Sequence, residues 1–299
     1  MRLRRSELST PGSNESMLVR AAASSADLVF LDLEDSVAPS EKVAARSKVV
    51  NALKTLDWTG KTRAIRINNL ETQWAYEDII HVVEEAGEFL DIIIVPKVYS
   101  AEDVRWVDTL LTQIEKKRGW EKRIGLEVLI EEVKAMINVD TIATASPRME
   151  ALIFGPGDYS ASQGVRSDAI GGVSDDYPGD VWHYARQRVI VAARAAGIEA
   201  IDGPFPVYRD LDGYLRECRK SNLLGFVGKW CIHPDQIATA NEVYGPDPSR
   251  VARARLEIEA YEQAEREGKG AVQYEGRMID AATVRTLHNI VRRADAIGM

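Results

Sequence analysis

The sequence predicts a closed (β/α)8 barrel (a TIM barrel) of the α/β class, followed by a C-terminal helical lid extension. Three observations lead there: eight short apolar runs, amphipathic stretches between most of them, and a change of pattern after Gln236. The runs occupy residues 6–9, 27–33, 63–68, 90–98, 123–130, 151–154, 198–202 and 225–232, and are rich in Val, Ile, Leu and Phe. Helical periodicity fills residues 42–56, 73–88, 101–117, 133–145 and 181–196. A strand wetted on one face alternates apolar and polar residues, so continuous apolar strands separated by helices read as parallel sheet covered on both faces. Eight such units favour a closed barrel over an open sheet. The run 6–9 is the shortest and least apolar of the eight.

Past Gln236 no further apolar strand appears. Pro246 and Pro248 break the chain, residues 250–269 form a highly charged helix, and Gly268 and Gly270 end it. Residues 272–278 read as a short extended piece and 281–296 as a last helix. The expected division is a catalytic barrel over residues 1–240 and a lid or oligomerisation segment over 241–299. The 299 residues are 45% hydrophobic and 28% charged, with a net charge of −8. That is the composition of a soluble enzyme, and its sign argues against a nucleic-acid partner, since a phosphate backbone is repelled. Residues 1–10 are polar and basic without an apolar core, and no apolar run approaches the roughly 20 residues a membrane span needs. With two isolated cysteines, Cys218 and Cys231, the expectation is a cytoplasmic protein with no membrane partner.

Chemistry-bearing residues gather at the C-terminal ends of the strands: Glu34, Asp35, Arg66, Asn68, Lys97, Glu131, Asp158, Asp202 and His233. In a barrel that edge builds the active site, although any one such residue also serves as a plain loop cap. Glu131 and Asp158 end neighbouring strands about 4.8 Å apart, so both carboxylates can reach one cation. Two carboxylates with positions left for water and substrate oxygens suit Mg2+; capping a helix and a turn is the bland alternative. Glu127, one layer deeper, needs a buried partner from another strand. The fork of Arg66 suits a carboxylate or a developing oxyanion, and an ion pair with Glu34 or Asp35 explains it equally well. Trp230 is core or a pocket wall. His81, His183, His233 and His288 show no metal spacing, and neither cysteine reads as a nucleophile.

Several stretches together carry a family resemblance. They are Arg5-Ser6-Glu7-Leu8-Ser9-Thr10-Pro11-Gly12-Ser13-Asn14, Phe30-Leu31-Asp32-Leu33-Glu34-Asp35-Ser36-Val37-Ala38-Pro39 and Leu129-Ile130-Glu131. Leu152-Ile153-Phe154-Gly155-Pro156-Gly157-Asp158-Tyr159 and Gly228-Lys229-Trp230-Cys231-Ile232-His233-Pro234 complete the set. The chain resembles the citrate lyase β-subunit-like (HpcH/HpaI aldolase) family from Arg5 to about Asp280, and within it the malyl-CoA and β-methylmalyl-CoA lyases. The resemblance implies a Mg2+-dependent carbon–carbon lyase, with Mn2+ as a possible substitute, acting on an acyl-CoA thioester and an α-keto acid. Citramalyl-CoA or citryl-CoA lyase and malyl-CoA thioesterase are the sister activities left open. Glu131 and Asp158 would hold the metal, Arg66 would steady an enolate oxygen, and Glu34 and Asp35 would hold Arg66 or a metal-bound water. Lys97 and Trp230 would lie toward the coenzyme. Gly276-Arg277-Met278-Ile279-Asp280 is similar to a lid segment that carries a catalytic aspartate, so Asp280 would serve a neighbouring subunit in a homotrimer or homohexamer.

Overall fold

In the computed structural model, which describes residues 2–166 and 179–299, eight parallel strands close into a barrel in chain order. They are β1 (Ser6–Pro11), β2 (Leu28–Asp32), β3 (Thr62–Arg66), β4 (Ile92–Val95), β5 (Gly125–Ile130), β6 (Met149–Phe154), β7 (Glu199–Asp202) and β8 (Gly228–Cys231). Strand β1 pairs with both β2 and β8 and so closes the ring. The helices between strands are α1 (Glu15–Ala22), α2 (Lys42–Thr55), α3 (Ala75–Ala86), α4 (Ala101–Arg118), α5 (Val133–Ile137), α6 (Val139–Ala143), α7 (Pro156–Gln163), α8 (His183–Ala196) and α9 (Leu211–Leu224). Helix α10 (Asp235–Tyr244) follows β8. Every residue of β2, β4 and β5 is buried, as continuous apolar strands under a helical layer require.

The barrel interior holds Leu28, Phe30, Ala64, Ile92, Ile94, Leu129, Ala151, Ile153, Ile201 and Trp230. Register places Glu7 level with Leu28 and Trp230, Asp32 level with Arg66, and Glu127 level with Ile94 and Ala151. Charged side chains therefore share the interior with the aliphatic ones. Residues 133–145, expected as one helix, form two short ones, α5 and α6. Asn138 leaves helical geometry between them (φ −96°, ψ 7°), and its amide donates to the Tyr99 carbonyl at 2.9 Å. A side-chain bond to a neighbouring loop is enough to break so short a helix.

Behind β7 and β8 lies a buried ionic cluster. Lys229 donates to Asp202 (2.7 Å), to the Gly203 carbonyl (2.7 Å) and to Glu217 (2.6 Å), while Arg186 pairs with Asp180, Asp202 and Glu217. Each ammonium proton of Lys229 has an acceptor, which is the condition under which a buried charge is tolerated. Both cysteines are buried and unbridged, and burial pushes the Cys218 thiol up to about 11 and the Cys231 thiol up to about 12.

The chain divides into two compact units, Arg4–Asn241 and Glu242–Met299 with Met1–Leu3. The smaller contains α11 (Pro248–Arg266), a hairpin of β9 (Ala271–Tyr274) and β10 (Arg277–Asp280), and α12 (Ala281–Ala296). Its core is Ala254, Ile258, Tyr261, Ile279, Val284 and Leu287. The single extended piece expected over 272–278 is thus two strands folded on each other. Glu275 (φ 47°) and Gly276 (φ 79°) make the two-residue turn, with positive φ at both positions as a type I′ hairpin requires. Glu at the first position is not a residue type that announces such a turn.

Substituting Lys229→Met would leave Asp202 and Glu217 facing each other without their ammonium. We expect a loss of about 3–5 kcal/mol, measured by urea denaturation.

Candidate active site

Asp32 and Arg66 end β2 and β3 at the same register position. Arg66 Nε and Nη2 donate to the two Asp32 oxygens, each at 2.7 Å. Burial alone would raise the Asp32 carboxyl, but the guanidinium outweighs it and holds the group down at about 2. Glu34 Oε2 lies 3.0 Å from Arg66 Nη1 without the alignment of a hydrogen bond. The Nη1 edge of the fork is therefore the one left to take an incoming oxygen acceptor. Beneath the guanidinium lie two rings, Trp230 (5.4 Å to its centre) and Phe30 (5.9 Å).

The loop after β2 is clamped by Lys42. Its ammonium donates to the carbonyls of Leu33 (3.1 Å) and Glu34 (2.9 Å) and to Asn68 Oδ1 (2.5 Å). Asn68 in turn donates to Asp78, which accepts from Arg46. Of the two acids expected to hold Arg66 or a metal-bound water, Glu34 does lie against Arg66, whereas Asp35 is exposed and pairs with Lys97. Asp32, one step inside the apolar run, is the partner that sequence reasoning passed over. Its parity with Leu28 and Phe30 was the available signal, because alternate strand residues face the same way.

Lys97 follows β4 in the left-handed region (φ 48°), costly for a side chain other than glycine. That backbone turn aims its N–H at Glu131 Oε1 (2.8 Å), while its ammonium reaches Glu34 (2.6 Å) and Asp35 (3.0 Å). Glu131 is buried at the end of β5. Burial first, then the charges of Asp158 and Glu34, push its carboxyl up to about 8 against the pull of Arg66 and Lys97. Asp158 stands on the first turn of α7, partly exposed. A Cβ on Gly155 would meet Glu131 Oε2 at 2.7 Å, so glycine keeps the space beside that oxygen open. Among the described residues no group of three or more His, Cys, Asp or Glu is gathered closely enough to hold a metal. Glu131 and Asp158 nevertheless supply the oxygen donors that a hard divalent cation takes, with positions left for water and substrate.

Trp230, expected toward the coenzyme, is 4% exposed and lies under Arg66, where its indole N–H donates to Glu7 (2.9 Å). Glu127 has the buried partner it requires in Arg4 (2.7 Å), from the segment before β1. His233 stacks on Tyr208 at 5.0 Å. In the smaller unit, Asp280 is the N-cap of α12: its Oδ1 accepts from the Thr283 N–H and hydroxyl, both at 2.8 Å. Those bonds hold its carboxyl below the ordinary value and leave Oδ2 without a role in the cap.

With this geometry in hand, the comparisons identify the lineage. The sequence profile of HpcH/HpaI aldolase/citrate lyase matches residues 5–234. The chain belongs to that family. It is accordingly a carbon–carbon lyase by descent. An L-malyl-CoA/β-methylmalyl-CoA lyase of Cereibacter sphaeroides is 43% identical over 98% of this chain and 95% of its own length. A (3S)-malyl-CoA thioesterase of the same species is 32% identical over the same shares. Among solved structures, the CitE protein of Mycobacterium tuberculosis in complex with magnesium, acetoacetate and coenzyme A superimposes with a TM-score of 0.76. It is 27% identical over 99% of this chain and all of its own.

The folded chain holds the Glu131 proton up to about pH 8, whereas an unfolded glutamate releases it near 4.5. The contribution to metal-free stability is thus complete below pH 4.5 and lost as pH rises through about 8. Mg2+ should raise the melting temperature more near pH 8 than near pH 6. Glu131→Gln should melt no lower than the metal-free parent near pH 8 and should stop responding to Mg2+. Scanning calorimetry with and without the metal checks both.

Proposed function

We propose that the protein is a Mg2+-dependent acyl-CoA lyase that reversibly cleaves L-malyl-CoA, or β-methylmalyl-CoA, to glyoxylate and acetyl-CoA, or propionyl-CoA. The observation that carries this reading is the Nη1 edge of Arg66, ion-paired with Glu34 but not hydrogen-bonded to it, beside the Glu131 carboxylate that Asp158 also faces. The full-length likeness to an L-malyl-CoA/β-methylmalyl-CoA lyase supports the substrate class.

Glu131 and Asp158 are the residues that would hold the cation, with Mn2+ as a substitute. When bound, the metal polarises the keto acid's carbonyl. Glu131 presents Oε2, since Oε1 is occupied by the Lys97 N–H. Arg66, oriented by Asp32 and flanked by Glu34, donates from Nη1 to the thioester oxygen, where enolate charge develops. In the condensing direction Asp280 Oδ2 accepts a proton from the acetyl methyl group, and the enolate carbon attacks the glyoxylate carbonyl carbon. The C=O electrons move to oxygen, and that oxygen takes up a proton from solvent to become the product hydroxyl. Cleavage runs the same steps backwards. Lys97 keeps a positive charge beside the carboxylates and near the anionic substrate while tethering Glu34 and Asp35. We further propose that the smaller unit serves as a lid over a neighbouring subunit of a homotrimer or homohexamer, so that Asp280 acts in trans. A cytoplasmic location fits the two unbridged thiols.

The test is a coupled assay with Mg2+, acetyl-CoA and glyoxylate, with products read by mass spectrometry. Malyl-CoA is the expected product, and EDTA should abolish it. Free malate with CoA would instead indicate a thioesterase, and turnover only with pyruvate a citramalyl-CoA lyase. Asp280→Asn should lower turnover by about 10²–10⁴-fold while leaving Mg2+ and CoA binding intact. Unchanged turnover would remove Asp280 from the mechanism.

A further inference from the structure

One layer below Arg66 the barrel interior contains a pair of acids that the chemistry above does not use. Glu7 and Glu127 are both 0% exposed, and the Glu127 carboxylate is close enough to Glu7 to push the Glu7 carboxyl up. Glu127 Oε1 accepts from Arg4 Nε at 2.7 Å, and Glu7 Oε2 accepts from Trp230 Nε1 at 2.9 Å. The remaining oxygens, Glu7 Oε1 and Glu127 Oε2, are buried and have no donor. Arg4, the guanidinium beside the pair, also bonds Glu150. Two anions in a dry interior repel, whereas a single proton between them would turn both orphaned oxygens into the two ends of one hydrogen bond. Burial, then the neighbouring carboxylate, raises the Glu7 carboxyl well above its ordinary range. The Arg4 guanidinium favours charge on Glu127, so the proton belongs to Glu7.

We propose that Glu7 is a positioning residue: it holds a proton donated to Glu127 and, through the Trp230 indole, fixes the aromatic floor on which the Arg66 guanidinium rests. The path is short. Glu127 is anchored by Arg4, Glu7 Oε1–H donates to Glu127 Oε2, and the Glu7 carbonyl oxygen accepts from Trp230. The Trp230 ring, 4.4 Å from Phe30, then underlies Arg66 at 5.4 Å. Asp32 sets the in-plane direction of the guanidinium, and the rings set its height. A displaced ring would let the Nη1 edge drop away from the enolate oxygen, and small misplacements of this kind are costly to rate. The positioning role rests on the lyase reading of Arg66; the shared proton does not.

Three variants and one spectrum test the proposal. Glu7→Leu removes both hydrogen bonds and should lower kcat about tenfold or more, with the KM for acyl-CoA little changed. Glu7→Gln reproduces the protonated acid, since its carbonyl accepts from Trp230 and its amide donates to Glu127. It should recover most of the kcat that Glu7→Leu loses. Trp230→Phe keeps a ring but has no N–H for Glu7, and should lower kcat in the same direction, which keeps the test open if the leucine variant does not fold. The infrared difference spectrum between parent and Glu7→Gln should contain the C=O stretch of a protonated carboxylic acid. Absence of that band, or a Glu7→Gln variant as impaired as Glu7→Leu, would overturn the shared proton. Full kcat in both Glu7→Leu and Trp230→Phe would overturn the positioning role. A parent inactive with every acyl-CoA offered would overturn the lyase reading and the positioning role together, while the infrared band would still decide the proton.

Discussion

The pairing of Asp32 with Arg66 sets the orientation of everything at the barrel mouth. A guanidinium at 8% exposure is stable only with its donors engaged, and Asp32 engages two of them from the matching position on the adjacent strand. This fixes the plane of the fork and leaves its Nη1 edge without a hydrogen bond. Glu34 is then set against that edge, Lys97 bridges Glu34 to the chain after β4, and the Lys97 backbone grips Glu131. The Lys42 clamp, with Asn68, Asp78 and Arg46 behind it, keeps the loop that bears Glu34 from moving relative to β3. Loss of the Asp32 carboxylate would thus disturb residues that it never touches.

The same arrangement explains why the mouth tolerates so many acids. Asp32, Glu34, Asp35, Glu131 and Asp158 outnumber Arg66, Lys97 and Lys42, and the repulsion from Asp158 and Glu34 falls on the buried Glu131. In the proposed reading, a bound divalent cation would balance that excess. Lys97 accepts a left-handed backbone because two bonds need it there at once: an N–H directed at Glu131 and an ammonium directed at Glu34. Glycine would adopt that backbone freely but could provide only the first.

The barrel was legible because eight buried parallel strands leave continuous apolar runs, and run 151–154 lies within the observed β6, Met149–Phe154. Strand β1 was hardest to read, for a physical reason: it contributes Glu7 and Ser9 to the interior, so the strand that closes the ring has a partly polar sequence. Glu131, Asp158 and Arg66 could be picked out as strand-end residues before any coordinates. Of their partners, Glu34 beside Arg66 could be read as well, and the others could not. That Asp32 rather than Asp35 binds Arg66, and that Lys97 turns back onto Glu131, depends on register and on one positive φ angle, neither of which is written in residue type. Trp230 was readable as core or as pocket wall, and it is the floor beneath the wall: buried, but in contact with the guanidinium.

In the proposed mechanism, with Asp280 acting from a neighbouring subunit, the remaining difficulty is the strength of the base. Asp280 spends one oxygen capping α12, and the two bonds from Thr283 stabilise its anion, which lowers its affinity for a proton. A base made weaker by its own anchoring gains a fixed direction, because only Oδ2 remains and the cap determines where it points. The lost basicity must then be recovered on the other side of the proton transfer, by making the enolate less unstable. In that mechanism the role would fall to the Nη1 edge of Arg66, and a donor contributes there only if it is already in place when the charge develops. The dense support around Arg66, with Asp32 in its plane, Trp230 and Phe30 beneath it and Glu34 at its edge, is what a weak and well-aimed carboxylate base requires of its partner.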